Sequence, residues 1–529
     1  MTESVQIGPF LSEGNRGGIN MHINGIMVDP ARTLQPLRYY QRVIEFCADW
    51  GLNTLLLHLT DDQGSALQLR SLPGAAVPGA WGKREVEFLL RHAERNGVEL
   101  IPEIESFGHT RYITELPEYR HLRDDSGAPD AQGDLYSGIN PCHGQTLVLF
   151  SRIYQEVADL FPGRYLHIGC DEVDFGHSPE VRKALETRPK WRIYADYVNG
   201  LASIARGCGR EVLFWGDHAV KEPGILGVLR KDLICVDWYY WETDLPAYQK
   251  RLKTVLDSGL RVICAPALAW CAWAVQSGTA VLNTTRVMAG AARDAQSEQV
   301  MGLINTIWCP GRLMPDTLWH SIAASAMITR DPVVSFERIT AEFVARFFGA
   351  QPSERWQRFF AYIYAAALPL KELTWRAWHD AASVMEALAH AGPADASWSA
   401  GLRLAHDLRK DVSRNLTSFD NLVMVLRLRE HWDWRADQLR RLLEGRPDTA
   451  RLQRGLAALA RRDAQVAERF LGMWHRFYAP AHPRDSLRWG LGMDQNLYAS
   501  LCAAADYTSA LARGSGLQAL LAARENAAR

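Results

Sequence analysis

Two adjacent carboxylates close an apolar run in Tyr165-Leu166-His167-Ile168-Gly169-Cys170-Asp171-Glu172-Val173. Like charges this close raise at least one pKa, which keeps a carboxylic acid protonated near neutral pH as a proton donor. Glu172 is the expected acid, with Asp171 beside it. Taken alone, an Asp-Glu pair after a strand more often caps the next helix. Two further apolar runs, however, also end in polar groups: Leu57-His58-Leu59-Thr60-Asp61-Asp62-Gln63-Gly64 and Ile101-Pro102-Glu103-Ile104-Glu105-Ser106-Phe107-Gly108-His109. Three more end in tryptophan, at Trp215 (followed by Gly216-Asp217), at Trp238 (followed by Tyr239-Tyr240-Trp241) and at Trp308. Carboxylic acids with flat aromatic faces are the equipment of a site that cleaves or binds sugars, whose C–H faces pack on indole.

Polar ends of this kind belong to the carboxyl ends of parallel strands, where βα loops build active sites. Eight strand-like runs are expected: Ile23–Asp29, Asn53–Thr60, Glu99–Glu105, Tyr165–Asp171, Glu211–Trp215, Leu233–Tyr239, Arg261–Pro266 and Gly302–Trp308. Amphipathic segments alternate with them near Gln35–Trp50, Lys83–Asn96, Gln145–Phe161, Trp191–Cys208, Leu245–Ser258, Thr284–Gln299 and Asp316–Thr329. This alternation predicts a (β/α)8 TIM barrel over residues 1–335, and the absence of a Gly-rich phosphate loop after the first strand argues against an open doubly wound sheet. The long excursion before the fourth strand carries Asn140, expected on a cleft wall, after a helix expected over Tyr112–Arg123. Beyond Arg330 the strand signal stops. Residues 336–529 read as an all-helical domain, with helices over Phe336–Phe348, Glu354–Ala366, Trp398–Glu430, His431–Glu444 and Thr449–Phe477 and a frayed end around Gly514-Ser515-Gly516. Trp375 and Trp378, three apart, are expected on one helix face, as interdomain core or as sugar contacts.

Lys and Arg number 59 against 60 Asp and Glu, so no bulk charge attracts nucleic acid or an anionic membrane. The arginines of the helical region alternate with acids at helical spacing, the pattern of solvated faces. Nine Cys occur without a C-x-x-C pair, and Cys170, Cys235 and Cys264 sit in apolar runs, which predicts reduced core thiols rather than a disulfide frame or a zinc site. With no leader-like amino terminus and no charge-free span of transmembrane length, a cytoplasmic protein is expected.

His167, Gly169, Asp171 and Glu172 resemble the His-x-Gly-x-Asp-Glu signature of glycoside hydrolase family 20, the β-N-acetylhexosaminidases, with Cys170 in place of the usual second Gly. His58-Leu59-Thr60-Asp61-Asp62-Gln63 resembles the family's His-Leu-x-Asp-Asp-Gln, and Phe107-Gly108-His109 its Pro-Gly-His turn, with Glu105 for a more usual Asp. The likeness covers Ile23 to Thr329 and is strongest to the short hexosaminidase D type. It implies an exo-acting enzyme that removes terminal β-linked GlcNAc or GalNAc from a small molecule or oligosaccharide. The implied mechanism is retaining and substrate-assisted, a known exception to two-carboxylate retention. By the same resemblance Glu172 is the acid, Asp171 orients the acetamido group, and Tyr239, with Tyr240 second, supplies the tyrosine commonly found on strand seven. Asp61, His109, Asn140, Trp215, Asp217, Trp238, Tyr240 and Trp308 would line the pocket, without cofactor or metal. Asn24 stands where the family has an Arg, and Pro310 where it has a Glu, so the outer hydroxyls must be held differently. The helical domain, in this chain or a homodimer mate, is one candidate source of those contacts. The alternatives are a non-catalytic amino-sugar-binding barrel and another acetamido-sugar hydrolase, such as a family with an Asp-Asp pair.

Overall fold

The computed structural model describes residues 22–128, 136–270, 272–273, 278–314, 316–366, 368–369, 378–390, 397–444, 448–477 and 497–527. Trp375 lies outside them. The chain divides into two compact units. One holds the chain up to Leu268 with Thr279–Trp308 and Ala324–Val333; the other holds Ala269–Gly278, Cys309–Ala323 and everything from Val334 onward.

The first unit is a closed barrel of eight parallel strands. They are β1 (Ile23–Val28), β2 (Thr54–His58), β3 (Glu99–Glu103), β4 (Tyr165–His167), β5 (Glu211–Trp215), β6 (Ile234–Trp238), β7 (Arg261–Ala265) and β8 (Val300–Ile307). Closure is made by β1 against β8, from Ile23 opposite Gly302 to Val28 opposite Ile307. Helices α1 (Leu37–Trp50), α2 (Lys83–Arg95), α3 (Gly144–Leu160), α4 (Lys190–Gly207), α5 (Leu245–Asp257) and α6 (Gly278–Ala295) alternate with the strands, and α7 (Trp319–Arg330) follows β8. Inside, Met27, Leu56, Ile101, Leu213, Ile234, Val236, Ile263 and Ile304 are fully buried. Each such side chain contributes roughly 1.5–3 kcal/mol of burial, and this plug supports the polar layer above it.

The strand expected over Tyr165–Asp171 ends at His167. Ile168 and Trp215 still bond across the β4–β5 edge, Ile168 N to Leu213 O and Trp215 N to Gly169 O. On the other edge the Glu105 carboxyl takes the Cys170 N–H, and the backbone turns left-handed at Gly169 (φ 66°), Cys170 (φ 82°) and Glu172 (φ 43°). A Cβ on Gly169 would stand 2.0 Å from a Glu105 oxygen, so only glycine fits there. A small sheet of Thr60–Asp61, Gly64–Leu67 and Ala76–Trp81 after β2 was not legible in the sequence. The helix expected over Tyr112–Arg123 is reduced to a turn at Arg111–Thr114 and a 3-10 turn at Arg120–Leu122.

The second unit is helical. Phe336–Phe343 passes into a π turn at Val344–Phe348, followed by Glu354–Ala365, Ala381–His390, Ser397–Leu408, Leu416–Leu443, Thr449–Phe477, Leu497–Ala512 and Leu517–Ala527. Trp398–Glu430 is therefore not one helix: the break falls at Arg409–Asn415, where Asn415 is left-handed, and helix then runs unbroken through His431. Gly514 and Gly516 are not frayed; both have positive φ and turn the chain between two helices, the second anchored by buried Leu520. Trp378 lies in a turn at φ 70°, fully buried against Trp432 and beneath the Arg435 guanidinium. It is a packing residue of its own unit.

Candidate active site

The carboxyl ends of β1 to β6 and β8 bring their polar residues to one place. Loops after β2, β3 and β4 supply Asp61, His109 and the Asp171-Glu172 pair. The His109 turn (φ 50°) packs directly on the Asp171 backbone: a Cβ on Gly108 would lie 2.0 Å from the Asp171 carbonyl oxygen. As a result, His109 Nε2 stands 3.3 Å from Glu172 Oε2 and 4.0 Å from Asp171 Oδ2, while its Nδ1 is 3.7 Å from Asp61 Oδ2.

Charge is distributed unevenly over this cluster. Burial alone would lower the His109 pKa, but Asp61, Glu172, Asp171 and Asp62 together raise it to about 10. Burial would raise Glu172, and the hydrogen bond and charge of His109 outweigh it, so Glu172 lies below its ordinary value. Asp171 goes the other way, raised well above the carboxylate range by burial and then by Glu105. Glu105 is raised likewise, by burial and by Glu103 and Asp61. Repulsion between the paired carboxylates was expected to keep Glu172 protonated. The structure instead raises Asp171, through burial and Glu105 before Glu172, and lowers Glu172, which the His109 imidazole faces more closely.

A second line of contacts runs beneath. Arg32 pairs with Asp29 at 3.0 Å and Asp61 at 2.7 Å; His58 bridges Asp61 (2.8 Å) and Glu103 (2.9 Å); Trp215 Nε1 donates to Glu103 at 2.5 Å. Glu103 and Asp61 outweigh the burial of His58 and raise its pKa well above the ordinary value. Trp215 is fully buried between His167 and Trp308. Sequence reasoning assigned no role to Arg32, His58, Glu103 or Glu105. The latter three stand in the same strand-end motifs as Asp61 and His109, and a charged residue in a barrel strand was the available signal.

On the β6 side Trp238 is buried and Asp237 faces outward to Arg251 and Tyr248 of α5. Alternation then places Tyr239 outward, under the Arg251 guanidinium at 4.7 Å. This corrects the assignment of Tyr239 to the chemistry. Tyr240 is the inward residue: its hydroxyl accepts from Trp308 Nε1 at 2.7 Å and lies 3.3 Å from Thr306 Oγ1. Burial raises its pKa, and Asp171 and Glu172 are near enough to add to the shift. Asp217 is buried after β5, its Oδ2 3.4 Å from the Glu172 N–H.

Two expected residues stand elsewhere. Asn24 is at the amino end of β1, its N–H bonded to Asn53 Oδ1, a strand's length from the cluster. Asn140 is buried within its own loop, its amide committed to Glu180 and to the Cys142 N–H. Ligand atoms close enough to hold a cation occur in His58–Glu103–Glu105, Asp61–Asp62–His109 and His109–Asp171–Glu172. All three sets consist of residues of this same cluster.

His109 thus stands among several carboxyl groups at the strand ends, closest to Glu172. The family model for the catalytic domain of glycosyl hydrolase family 20 matches residues 22–308. The chain belongs to glycosyl hydrolase family 20. The matched span covers all eight strands and each cluster residue named above. A β-hexosaminidase of Vibrio furnissii is 32% identical over 268 residues, covering 44% of this chain and 43% of that protein. A β-N-acetylhexosaminidase of Cellulomonas fimi is 29% identical over 218 residues, covering 38% and 40%. The chain thus spans less than half the length of these curated relatives. Among solved structures, a Flavobacterium johnsoniae chitobiase superposes with a TM-score of 0.52 at 15% identity, covering 93% of this chain and 78% of that one. That likeness concerns the fold.

Proposed function

We propose that the barrel is a retaining, exo-acting β-N-acetylhexosaminidase that removes terminal β-linked GlcNAc or GalNAc. The observation that carries this is the placing of one imidazole against two neighbouring carboxyls: His109 Nε2 stands 3.3 Å from Glu172, whose pKa it lowers, and 4.0 Å from Asp171, whose pKa burial and Glu105 raise. His109 and Glu172 share one proton that can be delivered through Glu172 to a leaving oxygen. As the anomeric bond lengthens, the substrate's own acetamido oxygen attacks C1 and its N–H gains positive charge. Asp171 Oδ1 is buried with no hydrogen-bond partner, as an acceptor awaiting that N–H would be. The Tyr240 hydroxyl orients the acetamido oxygen, and Trp215 closes the floor. Water then opens the cyclic intermediate with Glu172 as base.

The His167-Ile-Gly-Cys170-Asp-Glu-Val173 stretch supports the short hexosaminidase D type in particular, and the buried thiols of Cys170, Cys235 and Cys264 support a reducing, cytoplasmic setting. Among the described residues no helix is long and apolar enough to cross a membrane. Assay on nitrophenyl β-glycosides of GlcNAc, GalNAc and glucose tests the reading. Turnover of the two acetamido sugars and not of glucose is expected; turnover of none would leave a binding barrel.

A further inference from the structure

Three helices of the second unit form a cavity of about 430 Å³ that lies wholly within that unit. Its apolar wall is made by Leu402 and Ala405 from Ser397–Leu408, Val423 and Met424 from Leu416–Leu443, and Val466 from Thr449–Phe477. Each helix also turns arginine toward the same space. Arg427 follows Val423 by four residues, and Arg462 and Arg469 flank Val466 at four and three, spacings that put them on the faces that line the cavity. All three are exposed, so the guanidiniums mark the mouth and the apolar residues the interior.

The charges around this cavity do not cancel. Four arginines line it against two carboxylates, and both carboxylates are engaged: Asp420 takes Arg409 Nε at 2.8 Å and Nη2 at 3.0 Å, and Glu430 accepts from the Ser399 hydroxyl at 3.0 Å. Arg427, Arg462 and Arg469 have no carboxylate partner among the described residues, and Arg462 lies over the Trp434 ring at 3.9 Å. His431, 4% exposed, borders the same cavity; its Nε2 lies 3.0 Å from Asp463 Oδ1, while its Nδ1 is buried without a hydrogen-bond partner. Converging cations repel one another, and a buried ring nitrogen left without a partner costs free energy; an anion seated between them relieves both.

We propose that this cavity is a binding site for a small organic phosphate monoester, its phosphate held by Arg427, Arg462 and Arg469 and its body laid on the apolar wall. Guanidinium forks match phosphate oxygens in pairs, and three of them call for more than one negative charge. The volume is that of a small-molecule site, too small for a nucleic-acid duplex or a protein segment, and the wall has no use in holding a bare ion. The site is independent of the hexosaminidase reading.

Calorimetric titration of the full chain at constant ionic strength tests it, with 1-naphthyl phosphate, inorganic phosphate and 1-naphthol as probes. Naphthyl phosphate should bind at one saturable site, at least about tenfold more tightly than inorganic phosphate, and naphthol should not bind there. Arg427→Gln and Arg469→Gln should each weaken naphthyl phosphate about tenfold, the scale of a lost charge-assisted contact. Arg454→Gln, an exposed arginine of the same helix outside the cavity, should leave it within about twofold. The exposed arginines carry no packing role, so melting temperatures should match wild type. Absence of saturable binding overturns the site. Binding that survives both cavity variants, or that Arg454→Gln weakens equally, also overturns it, since the phosphate would then be held elsewhere or by net charge. Inorganic phosphate that binds as tightly as the naphthyl ester overturns the organic class.

Discussion

Both units bury ionic groups, and they do so in different ways. In the helical unit Asp463 faces Arg435 at 3.0 Å and His431 at 3.0 Å, with Thr508 taking a second Arg435 N–H and the Trp378 ring lying 4.5 Å below the guanidinium. There burial would raise Asp463, but Arg435 and His431 prevail and hold it ionised. Two donor side chains, Arg435 and His431, face this one carboxylate. At the barrel mouth the balance is reversed: Asp61, Asp62, Glu103, Glu105, Asp171, Glu172 and Asp217 face Arg32, His58 and His109, and Asp171, Glu105 and Asp217 each keep a buried oxygen without a hydrogen-bond partner. A packing cluster keeps its carboxylate ionised by pairing it. A cluster that must move a proton carries surplus carboxylates, so that protons stay resident near neutral pH.

Substitutions separate the two kinds of cluster. Glu172→Gln should show the largest effect, a loss of about 100- to 10,000-fold in kcat on a substrate with a poor leaving group. The melting temperature should fall slightly, because Glu172 is the carboxylate that His109 stabilises in the fold. Asp171→Asn should reduce kcat by about 100- to 1,000-fold, the scale of a lost transition-state partner, with KM nearly unchanged. Arg435→Met should do the opposite, costing about 3–5 kcal/mol by stranding Asp463. Steady-state kinetics of its folded fraction should match wild type. If Arg435→Met instead lowers kcat at constant fold, the contrast between the units fails.

Protons should also distinguish them. His320, in the helical unit, is held to about 3 by burial, and His167, in the barrel, to about 4. Both are neutral when folded and titrate near 6.5 when unfolded. Their stabilising contribution is therefore present above pH 6.5 and is lost as pH falls toward 4 and 3. His109, raised to about 10, behaves in reverse: its contribution is complete below pH 6.5 and disappears as pH rises through 10. Calorimetric scans across pH should show the alkaline loss reduced by His109→Gln, with His58 retaining its share, and the acid loss reduced by His320→Gln. An alkaline limb unchanged by His109→Gln would contradict the charge assignment.

The strand ends that hold Asp61, His109, Asp171 and Trp215 were legible because charged and aromatic residues at the close of apolar runs have no place inside a barrel. The protonation pattern was not legible, since it depends on a loop fold: the left-handed Glu172 and the close approach of Gly108 set which carboxyl His109 neutralises. Tyr239 and Tyr240 differ by one residue. Their faces follow from which side of β6 Asp237 takes, and that is decided by its contacts with Arg251 and Tyr248 on α5, the helix that follows. Asn24 read as a site residue only through likeness to a motif, whereas its place at the amino end of β1 follows from the register with β2 and β8. In the helical region, composition gave helix throughout, but the breaks at Arg409–Asn415 and Gly514–Gly516 rest on left-handed residues whose need is set by packing.

The central claim is that the substrate's acetamido oxygen, and no carboxylate of the protein, attacks the anomeric carbon. The most direct measurement is kcat/KM on nitrophenyl β-GlcNAc analogues whose acetyl group carries none, one, two or three fluorines. Each fluorine withdraws electron density from the attacking oxygen and leaves the leaving group unchanged. The rate should fall steeply and in order across the four substrates, with KM changing little. A flat series would show that another nucleophile does the work and would contradict the roles given to Asp171 and Tyr240.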